Sequence, residues 1–484
     1  MQFKINPKVS VCVVFVSAMF MSIMDTTVVN VALPSLATQF RVASTSIDAV
    51  VVGYMISLAV IIPASGWLGD RLGTKVVFLL ALTLFTLASA LCGLAQNLPM
   101  LVAFRLLQGV GGGAMTPVGL TMLYRTFPPA ERVGVSRILN IPTVIAPASG
   151  PVIGGLLVQQ LSWRWVFYVN VPLGIAALLF GIFFLPGVRP EKSAGRFDPL
   201  GFVLAGSGLG LLMYALSEGP AYGWGAPAVY LSALAGLLLL AGFVATELRV
   251  KEPMLDLRLF SNHLFRTCNT VTMLSSAAFL GVLFVAPLFL QEARGASPLV
   301  SGLTTFPEAI GVVVSAQIVS RIYPRIGPRR LTAIGLTGVA VVMALLALVG
   351  LDTELWWMRA LIFLVGAGMA FGFTSLQAAG FATISPAATG RASSLNSAQR
   401  QIGSALGVAI LSTVISIVGP VTLSAHGSIQ PNLIAYHAAF ICAAALALSS
   451  AAVALFIRDH DAASTMKPRA QVEHAAQPEI LVEA

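Results

Sequence analysis

Residues 9–36 read VSVCVVFVSAMFMSIMDTTVVNVALPSL, an apolar run interrupted near its middle by one aspartate, Asp25. About 20 consecutive apolar residues cross a ~30 Å hydrocarbon layer as a helix, and this run is longer. A carboxylate inside such a segment costs free energy, so it is retained for a partner or a task. The rest of the chain repeats the pattern. Of its 484 residues 57% are hydrophobic and only 10% charged, where a soluble domain carries about a quarter charged residues. Mean hydropathy is +0.89. The runs are continuous rather than alternating over about ten residues, which argues against a membrane β-barrel. The fold class is therefore an all-α polytopic membrane protein.

Fourteen spans are predicted, near 10–33, 48–68, 76–96, 99–122, 138–159, 165–186, 199–217, 228–247, 267–290, 301–320, 331–350, 356–377, 399–419 and 435–457. The first is expected to be an uncleaved span rather than a signal peptide, because no small-residue cleavage site ends it. With the N-terminus in the cytoplasm, 22 of the 28 Lys and Arg residues fall in cytoplasmic segments. Arg41, Arg164, Arg294 and Arg359 lie outside, and Arg105 and Arg400 fall within spans. That bias places both termini in the cytoplasm. The polar tail after Arg458 is expected to be disordered.

The net charge of +9 sits in short loops with no aromatic-interleaved basic stripe, which argues against nucleic acid. Cys12, Cys92, Cys268 and Cys442 lie far apart in apolar runs, with no disulfide or metal spacing. Gly-Lys occurs nowhere and HExxH is absent, so neither a Walker A loop nor a zincin site is present. No nucleophile–base set points to an enzyme, and no cofactor is implied.

A repeat is visible. SGWLGDRLGTKVVFLLAL after span 2 has a counterpart in SRIYPRIGPRRLTAIGL after span 10, and GVGGGAMTPVGL in span 4 resembles GAGMAFGFTSL in span 12. The domains read as a six-helix bundle over 1–186, two inserted helices with linkers over 187–260, a second bundle over 261–457 and a cytoplasmic tail over 458–484. Such repeats are how many secondary transporters are built, with sites at the repeat interface near mid-membrane.

Two stretches carry conformational signals. In GWLGDRLGTK, Gly66 removes bulk where helices pass, Gly73 suits a tight turn, and Asp70 is placed to cap a neighbouring helix or pair with an arginine. Arg71 and Lys75 can reach anionic lipid head groups. In APASGPVIGG, Pro147 and Pro151 each remove a backbone donor, while Gly150, Gly154 and Gly155 permit bending and close approach. A pliable helix at the interface between halves can seal a cavity; ordinary small-residue packing is the plainer alternative.

GWLGDRLGTK resembles motif A of the major facilitator superfamily. DTTVVNVALP resembles the first-helix motif of its fourteen-helix drug:proton antiporters of the EmrB/QacA type, RLLQGVGGGAM motif B, and SGPVIGG the end of the antiporter motif C. SWRWVFYVNVPLG is similar to the segment entering span 6 in that family. The resemblance implies a 6+2+6 fold, a multi-pass protein of the cytoplasmic (inner) membrane, and export of amphiphilic small molecules or drugs by alternating access. It further implies proton motive force as driver, a link to antibiotic resistance and, in a cell with two membranes, a periplasmic adaptor and an outer-membrane channel as partners. A dedicated metabolite exporter, or a sensor that kept a transporter fold, is the alternative.

Counted from the outer ends at ~1.5 Å per residue, Asp25 lies eight residues below Leu33, Arg105 six below Pro99 and Glu308 seven below Ser301. The resemblance places spans 1, 4, 10 and 13 around a central cavity, so these three groups are expected to face one aqueous space. Asp25 is then the proton-coupling carboxylate, tuned by Arg105, with Glu308 a second proton or cation site or, equally, a polar group lining the cavity. A fixed Asp–Arg pair, or Asp25 capping backbone beside Thr26 and Thr27, is the structural alternative. Met21, Met24, Phe284, Met369, Phe373 and Gln401 are candidate substrate contacts, since polarizable and flat side chains repack around varied ligands.

Overall fold

The computed structural model describes residues 6–42, 44–187, 197–250, 253–423 and 429–466. Among them the apolar runs form fourteen long helices: α1 Pro7–Phe40, α2 Ala49–Leu72, α3 Thr74–Leu94, α4 Leu98–Thr126, α5 Arg132–Gln160, α6 Asn170–Phe184 and α7 Pro199–Tyr222. They continue as α8 Pro227–Glu247, α9 His263–Leu288, α10 Pro307–Ile326, α11 Pro328–Leu346, α12 Leu355–Ala379, α13 Thr389–Val418 and α14 Leu433–Ala454. Thirteen helical segments among the described residues are long and apolar enough to cross a membrane; α5 is the remaining long helix. A two-stranded hairpin, β1 Val421–Leu423 against β2 Ile429–Pro431 with Thr422 opposite Gln430, joins α13 to α14.

Local sequence explains the punctuation. Proline sits in the first turn of α1, α4, α7, α8, α10 and α11, where its missing N–H costs nothing. Gly73 (φ 90°) turns α2 into α3, and Gly327 (φ 85°) turns α10 into α11. Both φ values lie where a side chain is strained, so the repeat keeps glycine at both places.

The same helix pairs recur in each half. Packing of α1 on α5, α2 on α4, α3 on α4 and α1 on α6 is repeated as α9 on α13, α10 on α12, α11 on α12 and α9 on α14. The halves meet through α2 against α13 and through α5 against α10, one contact being the image of the other. Helices α7 and α8 pack on each other, and α7 fills the groove between α2 and α13 on one seam.

Three expectations change. Helix α1 runs past Pro34 to Phe40, because a single proline removes one hydrogen bond without ending the helix; the helix stops at Arg41, in the left-handed conformation (φ 54°). The tenth span is two pieces, Pro298–Thr305 and α10, joined through Phe306 ahead of Pro307. The start of the tail is ordered: Asp459–Ala462 and Ala463–Met466 form helical turns, with Ala462 and Thr465 buried and the Tyr323 hydroxyl 2.8 Å from Thr465 Oγ1. Burial of these small side chains against α10 outweighs the polar composition around them. Residues 467–484 lie outside the described residues.

Candidate functional site

Asp25 lies on α1 and is fully buried. From α4, Arg105 Nη1 donates to its Oδ2 at 2.5 Å, and Gln108 Nε2 donates to Oδ1 at 2.9 Å. From α6, Asn170 Nδ2 donates to the same Oδ1 at 2.9 Å. Each carboxylate oxygen therefore has at least one donor. Arg105 and Gln108 are three residues apart on one face of α4, and Arg105 Nη1 also reaches Gln108 Oε1 at 2.8 Å.

Helix α2 holds the arginine from the far side. Arg105 Nε donates to the Val50 carbonyl at 3.2 Å, and its guanidinium stacks 4.2 Å from the centre of the Tyr54 ring. The Tyr54 hydroxyl lies 3.3 Å from Ser22 Oγ on α1. Behind Asn170, Ser89 of α3 bonds to the Asn170 amide at 3.2 Å and donates to the Phe167 carbonyl at 2.9 Å. One ion pair thus ties α1, α2, α4 and α6 together, with α3 in support. Arg105 Nη2 and Asn170 Oδ1 have no hydrogen-bond partner, so the network has unused capacity on both sides of the carboxylate.

Asp25 and Arg105 meet, but not at an open cavity: both side chains are completely buried inside the first bundle. Glu308 is not part of this cluster. It begins α10 in the other half, 6% exposed, with its backbone oxygen against Gly366 of α12, where an added Cβ would sit 2.1 Å away. Glu308 Oε1 has no hydrogen-bond partner, and Glu308 makes no ion pair among the described residues. The structure thus places Asp25 and Arg105 in one sealed pair and Glu308 as a separate carboxyl group. Equal depth along two helices says nothing of which way each side chain turns.

Around GWLGDRLGTK the structure joins the two halves at the end where α1 begins. Arg125 Nη2 donates to Asp70 Oδ1 at 2.8 Å and to the Pro386 carbonyl at 3.3 Å. Asp70 also lies over the first turn of α13, where a Cβ on Gly390 would come within 2.6 Å of Asp70 Oδ1. A carboxylate there meets the positive end of the helix dipole. Gly66 packs on the Gly390 carbonyl and Ser394, and Ser65 Oγ lies 3.1 Å from Ser394 Oγ. Arg132 Nη1 donates to the Phe381 carbonyl at 2.8 Å, and the Tyr124 hydroxyl to the Gln377 carbonyl at 3.0 Å. Arg71 is exposed. Lys75 is engaged otherwise than expected: its Nζ donates to the carbonyls of Ile182 (3.0 Å) and Leu185 (2.7 Å) and so closes the end of α6. Those carbonyls have no partner within the helix, and a lysine within reach satisfies them.

Helix α5 is unbroken through Pro147, which is half-buried. Gly150 lies against Thr27, two residues beyond Asp25, and Gly154 against Val28; a Cβ at Gly155 would meet nothing within 4 Å. Close approach therefore involves two of the three glycines. The side chain of Pro151 lies outside the described residues.

Among the candidate substrate contacts, Met21, Met24 and Met369 are buried in helix-packing cores. A flexible thioether fills core gaps as readily as it meets a ligand. Phe373 is half-buried edge-on to Phe279, Gln401 is half-buried, and Phe284 is 38% exposed. Sequence reading passed over Tyr54, Gln108, Asn170, Arg125 and Arg132. Gln108 and Asn170 were findable, since each is an isolated polar side chain within an apolar run; the partner of Arg125 lies across the fold.

A sequence profile of the Major Facilitator Superfamily matches residues 15–408. The chain is 34% identical over 409 residues to a multidrug resistance protein B homolog of Mycobacterium tuberculosis, covering 83% of this chain and 75% of that protein. It is 32% identical over 438 residues to a putative multidrug resistance protein MdtD of Serratia proteamaculans, covering 90% of each. Among solved structures it resembles the human organic anion transporter MFSD10 (TM-score 0.68, 16% identity, 93% of this chain and 100% of that one). It also resembles the proton:xylose symporter XylE (TM-score 0.62, 14% identity, 97% and 99%).

Proposed function

The chain belongs to the Major Facilitator Superfamily, and from that premise we propose that this multi-pass membrane transporter is a proton-coupled antiporter. It exports amphiphilic small molecules across the cytoplasmic membrane by alternating access. The observation that carries the reading is the sealed Asp25–Arg105 pair, with three donors on one carboxylate and no contact with solvent. A charged group at the centre of a membrane helix costs roughly 2.5–3.5 kcal/mol on insertion scales. Here each charge answers the other. A proton arriving on Asp25 removes the negative charge and leaves Arg105 buried alone, a state worth several kcal/mol of penalty. Relief comes when α1 and α4 part and the arginine meets water.

That movement has a route to the rest of the molecule. Thr27 and Val28, next to Asp25 on α1, touch Gly150 and Gly154 of α5, and α5 packs on α10 and α12 of the other half. At the cytoplasmic ends, Asp70, Arg125 and the first turn of α13 form the latch that must open for an inward-facing state. Gly66 lets α2 approach α13 and Gly73 turns α2 into α3 there, and Pro147 lies on the moving helix. Proton loading from outside and release inside then alternate with export.

The drug-like substrate class is carried over from the relatives' names, and a periplasmic adaptor with an outer-membrane channel is carried over from the family resemblance. Phe284, Phe373 and Gln401, which keep exposed surface, are assigned as substrate contacts, and Glu308 as a cation-preferring one. Proteoliposomes holding the full chain, given an imposed pH gradient and a panel of amphiphilic dyes, drugs and metabolites, test the reading. Substrate movement against its gradient, abolished by a protonophore, is expected for several panel members. Equilibration indifferent to the gradient would overturn antiport, and movement of a single metabolite would replace drug export with a dedicated pathway.

A further inference from the structure

At the cytoplasmic ends of α9, α11 and α14, away from both the ion pair and the latch, lies an open cavity of about 460 Å³. Its lining includes His263, Arg329, Arg458, Asp459 and His460, with Leu455 and Phe456 at the lip. Asp459 is already engaged: its Oδ1 accepts the Arg329 backbone N–H at 2.9 Å and caps α11. His460 Nε2 is paired with Asp461 Oδ1 at 2.7 Å. The two guanidinium groups make no ion pair among the described residues, and His263 Nδ1 is buried with no partner. The cavity therefore presents surplus positive charge and an unanswered ring nitrogen.

Its surroundings select the ligand. Ile434, Ile441, Leu448 and Leu455 recur every seven residues along α14, each more than half exposed, and Phe456 follows them. Seven residues bring a helix back to nearly the same face, so the four form one apolar track running the height of α14 and ending at the cavity. Cationic cavity below and apolar track above match a phosphate group carrying acyl chains. We infer that this is a binding site for an anionic phospholipid of the inner leaflet, its head group held by Arg329 and Arg458 and its chain lying on the α14 track.

The purified full chain, examined by native mass spectrometry in detergent with phosphatidylglycerol, phosphatidylcholine or inorganic phosphate added, tests the site. Phosphatidylglycerol is expected to be retained at one per chain in preference to phosphatidylcholine, and not to be displaced by millimolar phosphate. At roughly 5-fold per cation near a membrane surface, the double variant Arg329→Gln/Arg458→Gln is expected to weaken retention about 25-fold. Arg329→Lys/Arg458→Lys is expected to restore it, which separates lost charge from lost fold, and Arg249→Gln, removing an exposed cation just beyond α8, to leave it unchanged. Equal retention of both lipids, or undiminished retention by the Gln pair, overturns the site. So does failure of the Lys pair to restore binding. Displacement by phosphate overturns the lipid and assigns a soluble anion instead.

Discussion

Asp25 in the first half and Glu308 in the second are both buried carboxyl groups, and the molecule treats them oppositely. In the first half Asp25 is met by an arginine and two amides. In the second, Glu308 is 6% exposed and its Oε1 meets nothing. The repeat shows where the difference arises. With Gly109 and Gly366 in register, Arg105 and Gln108 correspond to Ile362 and Val365; with Gly73 and Gly327 in register, Glu308 falls where Tyr54 sits. The same scaffold thus carries a satisfied charge network in one copy and an apolar slot with a lone carboxyl group in the other. Their latches differ likewise. Asp70 pairs with Arg125 of its own half and lies over the first turn of α13 across the seam, while its counterpart Pro324 has no charge and Asp459 from beyond α14 caps α11 instead. Helix packing is symmetric; the charge chemistry is not.

The largest effect should come from removing one member of the paired site. Arg105→Gln leaves Asp25 buried without its counter-charge and is expected to destabilise by about 3–5 kcal/mol, read as a lowered thermal midpoint in detergent. Asp25→Asn/Arg105→Gln should recover most of that loss, and a double variant no better than Arg105→Gln would break the pairing argument. Next is Gly366→Ala, whose Cβ would meet the Glu308 backbone at 2.1 Å. Overpacking of that kind costs about 1–3 kcal/mol, whereas Gly155→Ala, facing open space, should stay within about 0.5 kcal/mol. Asp70→Asn weakens a charged hydrogen bond worth about 1.5–3 kcal/mol gross, less for the amide that remains. It should raise the labelling rate of a cysteine placed at Ser394 several-fold, and an unchanged rate would remove Asp70 from the latch. Glu308→Gln is the smallest: with no partner to lose, stability should move by under about 0.5 kcal/mol and proton coupling should persist while preference for cationic substrates falls. Coupling lost there instead would reverse the comparison between halves.

Fourteen apolar runs, their punctuation by Gly and Pro and the repeat about Gly73 and Gly327 were legible because lipid imposes continuous hydrophobicity and leaves few alternatives. Helix ends were less so. Pro34 looked like a stop, yet a helix needs only one hydrogen bond fewer to continue through it, and α1 runs six residues further. Asp25 and Arg105 stood out as charges, and their similar depth was countable. Their partners were not, because Asn170 is 145 residues from Asp25 and only the packing of α6 on α1 brings it near. The same limit holds for Glu308: depth is a one-dimensional coordinate, while facing the same space requires knowing each helix's rotation. Lys75 shows it at the surface, where a basic side chain near lipid closes α6 instead.

The central claim is that the proton acts at the sealed pair. Substrate transport in proteoliposomes should be compared for the natural chain and Asp25→Asn in two modes, accumulation driven by a pH gradient and exchange of substrate across equal pH. Loss of gradient-driven accumulation with exchange retained is the predicted result. Undiminished gradient-driven accumulation by Asp25→Asn would contradict it.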